Sequence, residues 1–168
     1  MSNCKYLGVN IDDLTKWNFH IDYVYNKLIK FTSIFYKLRY VLPKHCLRTL
    51  YFAFVYPHII YGIEIYANTC YSVLDKLCKL NNKLLRILSN APRETPVIEL
   101  YKSFELLPIP ILFEFKMLIF MFDCIYYRQY LPEIFQNYFR VNSDVHMYNT
   151  RQSSNLHIDS INSNYGQR

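Results

Sequence analysis

The sequence has little glycine, an odd number of cysteines and few charged residues. Only 3 of its 168 residues are glycine, and neither G-x-G-x-x-G nor G-x-x-x-x-G-K-[ST] occurs, so the common glycine-rich nucleotide loops are excluded. Charged residues make up 19% and hydrophobic residues 52% of the chain, which excludes a disordered, charge-rich protein. The five cysteines include no C-x-x-C pair, so we expect reduced thiols rather than a zinc site or a disulfide framework.

No uninterrupted hydrophobic run is long enough to predict a membrane span. The most apolar stretch runs from Ile109 to Tyr127, and it is interrupted by Pro110, Glu114, Lys116 and Asp123. We therefore expect a buried central helix at this position and no membrane partner. Because no signal peptide precedes the first motif, we also expect an intracellular protein of the nucleus or cytoplasm.

The basic residues are concentrated in the middle of the chain. The whole sequence carries a net charge of +6, whereas the segment from Lys16 to Arg93 holds 12 basic and 3 acidic residues, a net charge of +9. Such a block favours a polyanionic partner, either nucleic acid or an anionic membrane surface. A solvated basic face that keeps the protein soluble is the alternative explanation.

The pattern of apolar residues predicts a mainly α fold. A period of two from Lys5 to Ile11 predicts one short β-strand, which Asp12-Asp13 ends. From His20 the apolar residues recur three and four positions apart, which places them on one face of a helix. These residues are Ile21, Val24, Leu28, Phe31, Phe35 and Leu38.

Proline, glycine and capping signals predict about five helices in a bundle. A helix is expected after Pro43, with Leu47, Leu50, Tyr51 and Phe54 facing inward, and breaks follow it at Tyr56-Pro57 and Gly62. Another is expected from a capping box at Ser72–Asp75, with Val73, Leu77, Leu80, Leu84 and Leu88 facing inward. Further helices are expected after Thr95-Pro96, from Pro110 and after Leu131-Pro132. Beyond Arg140 the composition turns polar, which predicts a mostly disordered tail. The expected organisation is a β segment at 1–15, a basic helical region at 16–93, a second helical region at 94–140 and the tail at 141–168.

Two rows of basic side chains lie beside the predicted apolar faces. The denser row consists of Lys76, Lys79, Lys83 and Arg86, and the second row consists of Lys27, Lys30 and Lys37. At 100° per residue the denser row covers a sector of about 80°. Like charges at these spacings repel each other on an isolated helix, and only Asp75 offsets them. A phosphate backbone is therefore the partner that we expect for these rows.

One segment combines several residue types at a specific spacing, in the order K-Y-L-G-V-x-I-D-x-L-x-x-W-x-x-H-I from Lys5 to Ile21. It closely resembles the segment that follows the catalytic palm in reverse transcriptases of non-LTR retrotransposons, of the jockey-like kind. Further landmarks in the same order extend the resemblance over roughly residues 4–151. They are Leu42-Pro43, Tyr56-Pro57, Tyr61-Gly62, the helix of Leu80–Leu88, Thr95-Pro96, Leu107-Pro108-Ile109, Leu131-Pro132 and His146-x-Tyr148-Asn149-Thr150-Arg151. The chain departs at Asn81, where the family usually has Gln, and at Leu88, where it has Ile.

The resemblance implies a role for each of the two N-terminal regions. Residues Tyr6, Leu7, Gly8 and Val9 would form the hairpin that presses on the primer strand near its 3′ end. The helices from His20 to about Ser89 would be the thumb, which holds the template–primer duplex. A duplex of this kind is bound mostly through its shape and backbone, so lysine and arginine on helix faces are the expected chemistry.

The catalytic residues of that family would lie upstream of the resembling segment. They are an aspartate and a later acid pair in the palm, which hold two Mg²⁺ ions in the complete polymerase. The run Asn10-Ile11-Asp12-Asp13 is similar to such an acid pair, but a polar turn follows it. We therefore expect a truncated or degenerate copy with no catalytic residue, no metal site and no cofactor, inactive without the fingers and palm.

Two other functions fit the same sequence. The first alternative is a freestanding helical module that binds nucleic acid. The second is a helical protein-interaction domain. In the second case the apolar residues between Ile111 and Phe122 would face a protein partner. Binding that weakens steeply with salt favours a nucleic-acid partner, whereas salt-insensitive pairing favours a protein.

Overall fold

The computed structural model describes residues 3–136, 138–148 and 150–158, and the chain is mainly helical, as the sequence predicts. The residues up to Lys116 form one compact unit and those from Met117 form another. The first unit contains β1 (Asn3–Tyr6), β2 (Val9–Asp12), α1 (Asn18–Leu38), α2 (Lys44–Phe54), α3 (Tyr56–Ile60), α4 (Ile63–Tyr66), α5 (Tyr71–Leu88) and α6 (Val97–Phe104). The helix α7 (Ile109–Tyr126) contributes residues to both units.

The N-terminal segment is a β-hairpin, so the prediction of a single strand from Lys5 to Ile11 is wrong. The strands β1 and β2 pair antiparallel, with Tyr6 opposite Val9 and Lys5 opposite Asn10. Leu7 and Gly8 form the two-residue turn, and their φ angles of 45° and 84° are both positive. Two positive φ angles match the right-handed twist of a hairpin. The apolar alternation therefore continues across a turn instead of marking one strand.

The long helices α1 and α5 pack against each other in the core of the first unit. On α1 the predicted apolar stripe is confirmed: four of its six residues are buried and the other two pack against the core. On α5 the predicted inward residues Leu77, Leu80, Leu84 and Leu88 are likewise buried. Trp17 precedes α1 in the left-handed conformation and is buried in the same core.

The short helices α3 and α4 follow from the predicted breaks. The chain bends at Val55, and Pro57 lies in the first turn of α3, where a missing backbone N–H is tolerated. Gly62 then adopts a φ of 68° before α4 begins. In α2, Leu47 and Tyr51 are buried as predicted, but Phe54 is about half-exposed and does not face the core.

The capping box predicted at the start of α5 does not form. The helix begins at Tyr71, one residue before the predicted cap, and no side chain caps it. The carboxylate of Asp75 forms an ion pair with Lys79 instead, at an Oδ2–Nζ distance of 2.6 Å. Because Ser72 lies inside the first turn of the helix, it is not in the position of an N-cap.

A buried hydrogen-bond network joins α2, α5 and α6. The Tyr51 hydroxyl donates to Oδ1 of Asn81 at 2.8 Å, and Nδ2 of Asn81 donates to the Tyr101 hydroxyl at 3.0 Å. The Tyr101 hydroxyl in turn donates to Oδ1 of Asn82 at 2.8 Å. Burial raises the pKa of Tyr101 to about 12, so this hydroxyl keeps its proton over the physiological range.

The sequence predicts a buried central helix at this position, but several large apolar side chains of α7 are exposed. Ile111 and Phe115 in the first unit are about half-exposed, and so are Leu118 and Phe122 in the second. Along the described residues, no helix has both the length and the hydropathy that crossing a bilayer requires.

The second unit also contains a 3-10 turn at Arg128–Tyr130, α8 (Glu133–Gln136) and α9 (Asn142–Val145). In the segment predicted to be a disordered tail, the described residues form α9 and one isolated β-bridge between Val141 and Leu156. Residues 149 and 159–168 of that segment lie outside the described residues.

Candidate nucleic-acid interface

The tip of the hairpin exposes two large apolar side chains. Tyr6 is mostly exposed and Leu7 is 72% exposed, whereas Val9 is buried and packs into the core. The four residues that the resemblance assigns to the primer strand therefore divide into an exposed tip and a buried anchor. Val9 lies close to Gly62, the residue before α4. A Cβ atom built on Gly62 would lie 3.4 Å from the Cγ2 atom of Val9.

Tyr61, which follows α3, holds the hairpin turn in place. Its hydroxyl donates a hydrogen bond to the backbone oxygen of Leu7. A Cβ added at Gly8 would lie 3.4 Å from the Tyr61 ring, and the φ of Gly8 is +84°. The turn therefore favours glycine at this position because of its positive φ, whereas the Tyr61 ring leaves room for a Cβ at ordinary contact distance.

Lys27, the first residue of the basic row on α1, lies near the hairpin. The Nζ atom of Lys27 lies 4.5 Å from the centroid of the Tyr23 ring, and Nζ of Lys5 on β1 lies 5.4 Å from the same centroid. The hydrogen bond from Lys27, followed by the charges of Lys27 and Lys5, lowers the pKa of Tyr23. Lys5 was not predicted as a site residue, and only the hairpin register could have placed it here.

No ion pair joins Lys27, Lys30 or Lys37 to an acidic residue in the described part of the chain. The row thus presents a positive face that solvent or an anionic partner must balance. Tyr23 lies among these charges and adds an aromatic surface, on which cations rest favourably.

The basic row on α5 is partly neutralised within the protein. Lys76 forms an ion pair with Asp22 on α1 at 2.5 Å, and its Nζ atom lies 4.6 Å from the centroid of the Tyr25 ring. Lys79 pairs with Asp75. Lys83 is exposed and makes no ion pair with a described acid, while Nε of Arg86 is buried without a hydrogen-bond partner. Only part of the predicted row is therefore available to an external anion.

Lys76 and Lys27 lie on different sides of α1. Lys76 contacts Asp22 and Tyr25, whereas Lys27 contacts Tyr23. Tyr25 and Lys27 are two residues apart, which is about 200° around a helix. These contacts therefore do not bring Lys76 and Lys27 together along one groove.

Asp12 is the last residue of β2, and Asp13 begins the turn that follows. Oδ1 of Asp12 accepts a hydrogen bond of 2.8 Å from the backbone N–H of Lys16 and so closes this turn. Within the described residues, no cluster of three or more metal-ligating side chains is found.

The chain matches no protein-family model, no curated protein and no solved structure in the comparisons made with known proteins. The candidate interface is therefore defined by the side chains of this chain alone. It consists of the lysines Lys27, Lys30 and Lys37 with Tyr23 on α1, and of the exposed Tyr6 and Leu7 at the hairpin tip.

Proposed function

We propose that this chain is the thumb and connection portion of a reverse transcriptase of a non-LTR retrotransposon, and that it holds a template–primer duplex. The duplex would lie along the flank of α1 that carries Lys27, Lys30 and Lys37, with one strand against the hairpin tip. The resemblance attributes the polymerase reaction itself to palm aspartates, which lie outside the resembling segment.

The observation that carries this proposal is the absence of ion pairs at the three lysines of α1, as far as the described residues extend. Elsewhere in the first unit, the acids Asp22 and Asp75 neutralise Lys76 and Lys79. A row of lysines that remains unpaired next to paired ones is suited to release counterions from a phosphate backbone.

The hairpin tip provides a second support. Leu7 adopts a φ of 45° while 72% exposed, although a left-handed conformation is unfavourable for a leucine by about 1–2 kcal/mol. Backbone strain of this kind often marks a functional contact. An apolar contact with a strand end would explain why an exposed leucine occupies the turn.

The direct test measures the affinity of the purified chain for a short duplex by fluorescence anisotropy as a function of salt. We expect binding to both DNA and RNA–DNA duplexes, with log K falling linearly against log salt by about 0.9 for each phosphate contacted in a B-form duplex. A chain that binds neither duplex at about 50 mM salt contradicts the proposal.

A protein-interaction domain is the second candidate, and the exposure of α7 favours it. Ile111 and Phe115 are about half-exposed on a helix that is apolar over most of its length. Apolar surfaces of this kind often mark interaction sites. A partner bound there would remain bound as salt is raised, which separates this candidate from duplex binding. A freestanding nucleic-acid module would show the same duplex binding, and only the genomic sequence upstream would distinguish it.

A further inference from the structure

A cleft of about 300 Å³ lies between the hairpin turn, the first half of α1 and the region of α3. Tyr61 and Gly8 close one side of it, since the Tyr61 hydroxyl is bonded to the backbone of Leu7. The polar side chains that line it are His20, Tyr23, Lys27, His58 and Tyr61. Its volume is at the lower end of the range for small-molecule sites in proteins.

His20 has an unsatisfied hydrogen-bonding atom beside this cleft. The side chain is 2% exposed, and its Nδ1 atom accepts a hydrogen bond of 3.2 Å from the backbone N–H of Asn10. A neutral imidazole that accepts at Nδ1 carries its proton on Nε2. Nε2 is buried and has no partner among the described residues. A buried donor without an acceptor costs stability, so an acceptor supplied by a ligand would relieve this cost.

The charge around the cleft is positive and lacks a paired acid. Lys27 lines the cleft, and Lys5 lies across the Tyr23 ring from it. Neither lysine forms an ion pair with a described acidic residue. Burial and then the charge of Lys27 lower the pKa of His20, and the same two causes lower the pKa of His58. An anion with acceptor oxygens would complement both the unpaired lysines and the Nε2–H donor of His20.

We infer that this cleft binds a phosphate group of the nucleic-acid strand that lies against the hairpin. Lys27 supplies the charge, and the imidazole N–H groups of His20 and His58 supply hydrogen bonds to the phosphate oxygens. Tyr61 places the hairpin turn at the edge of the cleft, so a strand bound there also meets the exposed Leu7. This inference rests on the proposed duplex binding and assigns to it a particular phosphate position.

The test combines a variant with a spectroscopic signal from the imidazoles. His58→Ala removes the imidazole donor at the cleft, and His45→Ala on α2 is the matched control because His45 is exposed and does not line the cleft. We expect His58→Ala to weaken binding of a short duplex by about three- to tenfold, the effect of one lost hydrogen bond, and His45→Ala to leave it unchanged. Duplex binding to the wild-type chain should also shift the Nε2 resonances of His20 and His58 in long-range ¹H–¹⁵N spectra.

Three other outcomes overturn the inference and are distinguishable. If the duplex binds with the expected salt dependence while both variants match the wild type and the imidazole signals stay fixed, the cleft is not used, although the proposed function stands. If no duplex binds and inorganic phosphate alone shifts the two resonances, the cleft serves a free phosphate-bearing molecule. If neither probe binds, both the proposed function and the phosphate site are wrong.

Discussion

Single residues in this protein are held by contacts that no local pattern displays. Asn81 is almost fully buried and bonds to Tyr51 and Tyr101, which lie 30 and 20 residues away in sequence. His20 is buried against the Tyr66 ring, with 4.9 Å between ring centroids. Both residues lie on helix faces next to the apolar stripes, and both are polar groups whose partners come from other elements.

Replacing Tyr51 with Phe is expected to destabilise the fold through Asn81. The change removes the hydroxyl donor and leaves the buried Oδ1 atom of Asn81 without a partner, which costs about 1–3 kcal/mol. Tyr71→Phe at the start of α5 is the control, since Tyr71 is mostly exposed and such surface changes stay within about 0.5 kcal/mol. Urea denaturation of the two variants measures the difference, and equal midpoints would mean that the network adds no stability.

His20 is expected to make the stability of the protein depend on pH. Its pKa in the folded chain lies below the ordinary value of 6.5 because burial, and then Lys27, disfavour the charged imidazole. The unfolded chain therefore binds more protons as the pH falls through about 6.5, and the free energy of unfolding decreases as the pH drops from about 7.5 to 5.5.

The variant His20→Asn tests this assignment, because the asparagine oxygen replaces Nδ1 as the acceptor for Asn10. We expect a smaller decrease of unfolding free energy with falling pH than in the wild type, while His45→Asn retains the wild-type decrease. Identical pH dependence in all three proteins would show that another group is responsible. His58, whose pKa is also lowered, accounts for the dependence that remains in His20→Asn.

At the scale of elements, helix periodicity predicts more of this structure than strand alternation does. The stripes of α1 and α5 could be predicted because these helices run for 21 and 18 residues, so the helical period repeats several times. The breaks at Pro57 and Gly62 could be predicted because proline fixes φ and glycine readily adopts a positive φ. The hairpin could not, because strands of four residues are short and the turn Leu7-Gly8 lacks the asparagine or aspartate that usually announces such a turn. The capping box does not form because α5 begins at Tyr71, which places Ser72 inside the helix, and the spacing of the residues alone does not fix where the helix begins.

The hairpin provides a prediction in which stability and binding change in opposite directions. Leu7→Asn should stabilise the chain by up to about 1 kcal/mol, since asparagine tolerates the left-handed conformation better than leucine does. If the exposed leucine contacts a bound strand, the same variant binds a duplex more weakly. Thermal unfolding and anisotropy on one preparation measure both effects.

Gly8→Ala is the opposing control for this pair of measurements. The backbone at this position has a φ of +84°, which is unfavourable for alanine, so the hairpin should lose stability. A Leu7→Asn variant that is more stable and binds the duplex as tightly as the wild type would remove the hairpin tip from the interface.

At the scale of the whole molecule, tertiary contacts redistribute a charge that the sequence presents as one block. The segment from Lys16 to Arg93 carries a net +9, and its densest basic row is on α5. In the folded chain Asp22 crosses from α1 to pair with Lys76, a contact between residues 54 positions apart. The more sparsely spaced row on α1 makes no ion pair with a described acid, so the row with the most basic residues is not the one whose charge is left unpaired.

Salt dependence of duplex binding distinguishes these two surfaces. Replacing Lys27, Lys30 and Lys37 with Gln should reduce the slope of log K against log salt by about two to three units, because each lost phosphate contact contributes about 0.9. The matched control replaces Lys76, Lys79 and Lys102 with Gln, which removes the same net charge from two paired lysines and one exposed lysine on α6. We expect its slope to change by less than about one unit, since lysines already paired release few counterions. Equal changes in two folded variants would mean that the duplex responds only to overall charge, and that the flank of α1 is a solvated basic face.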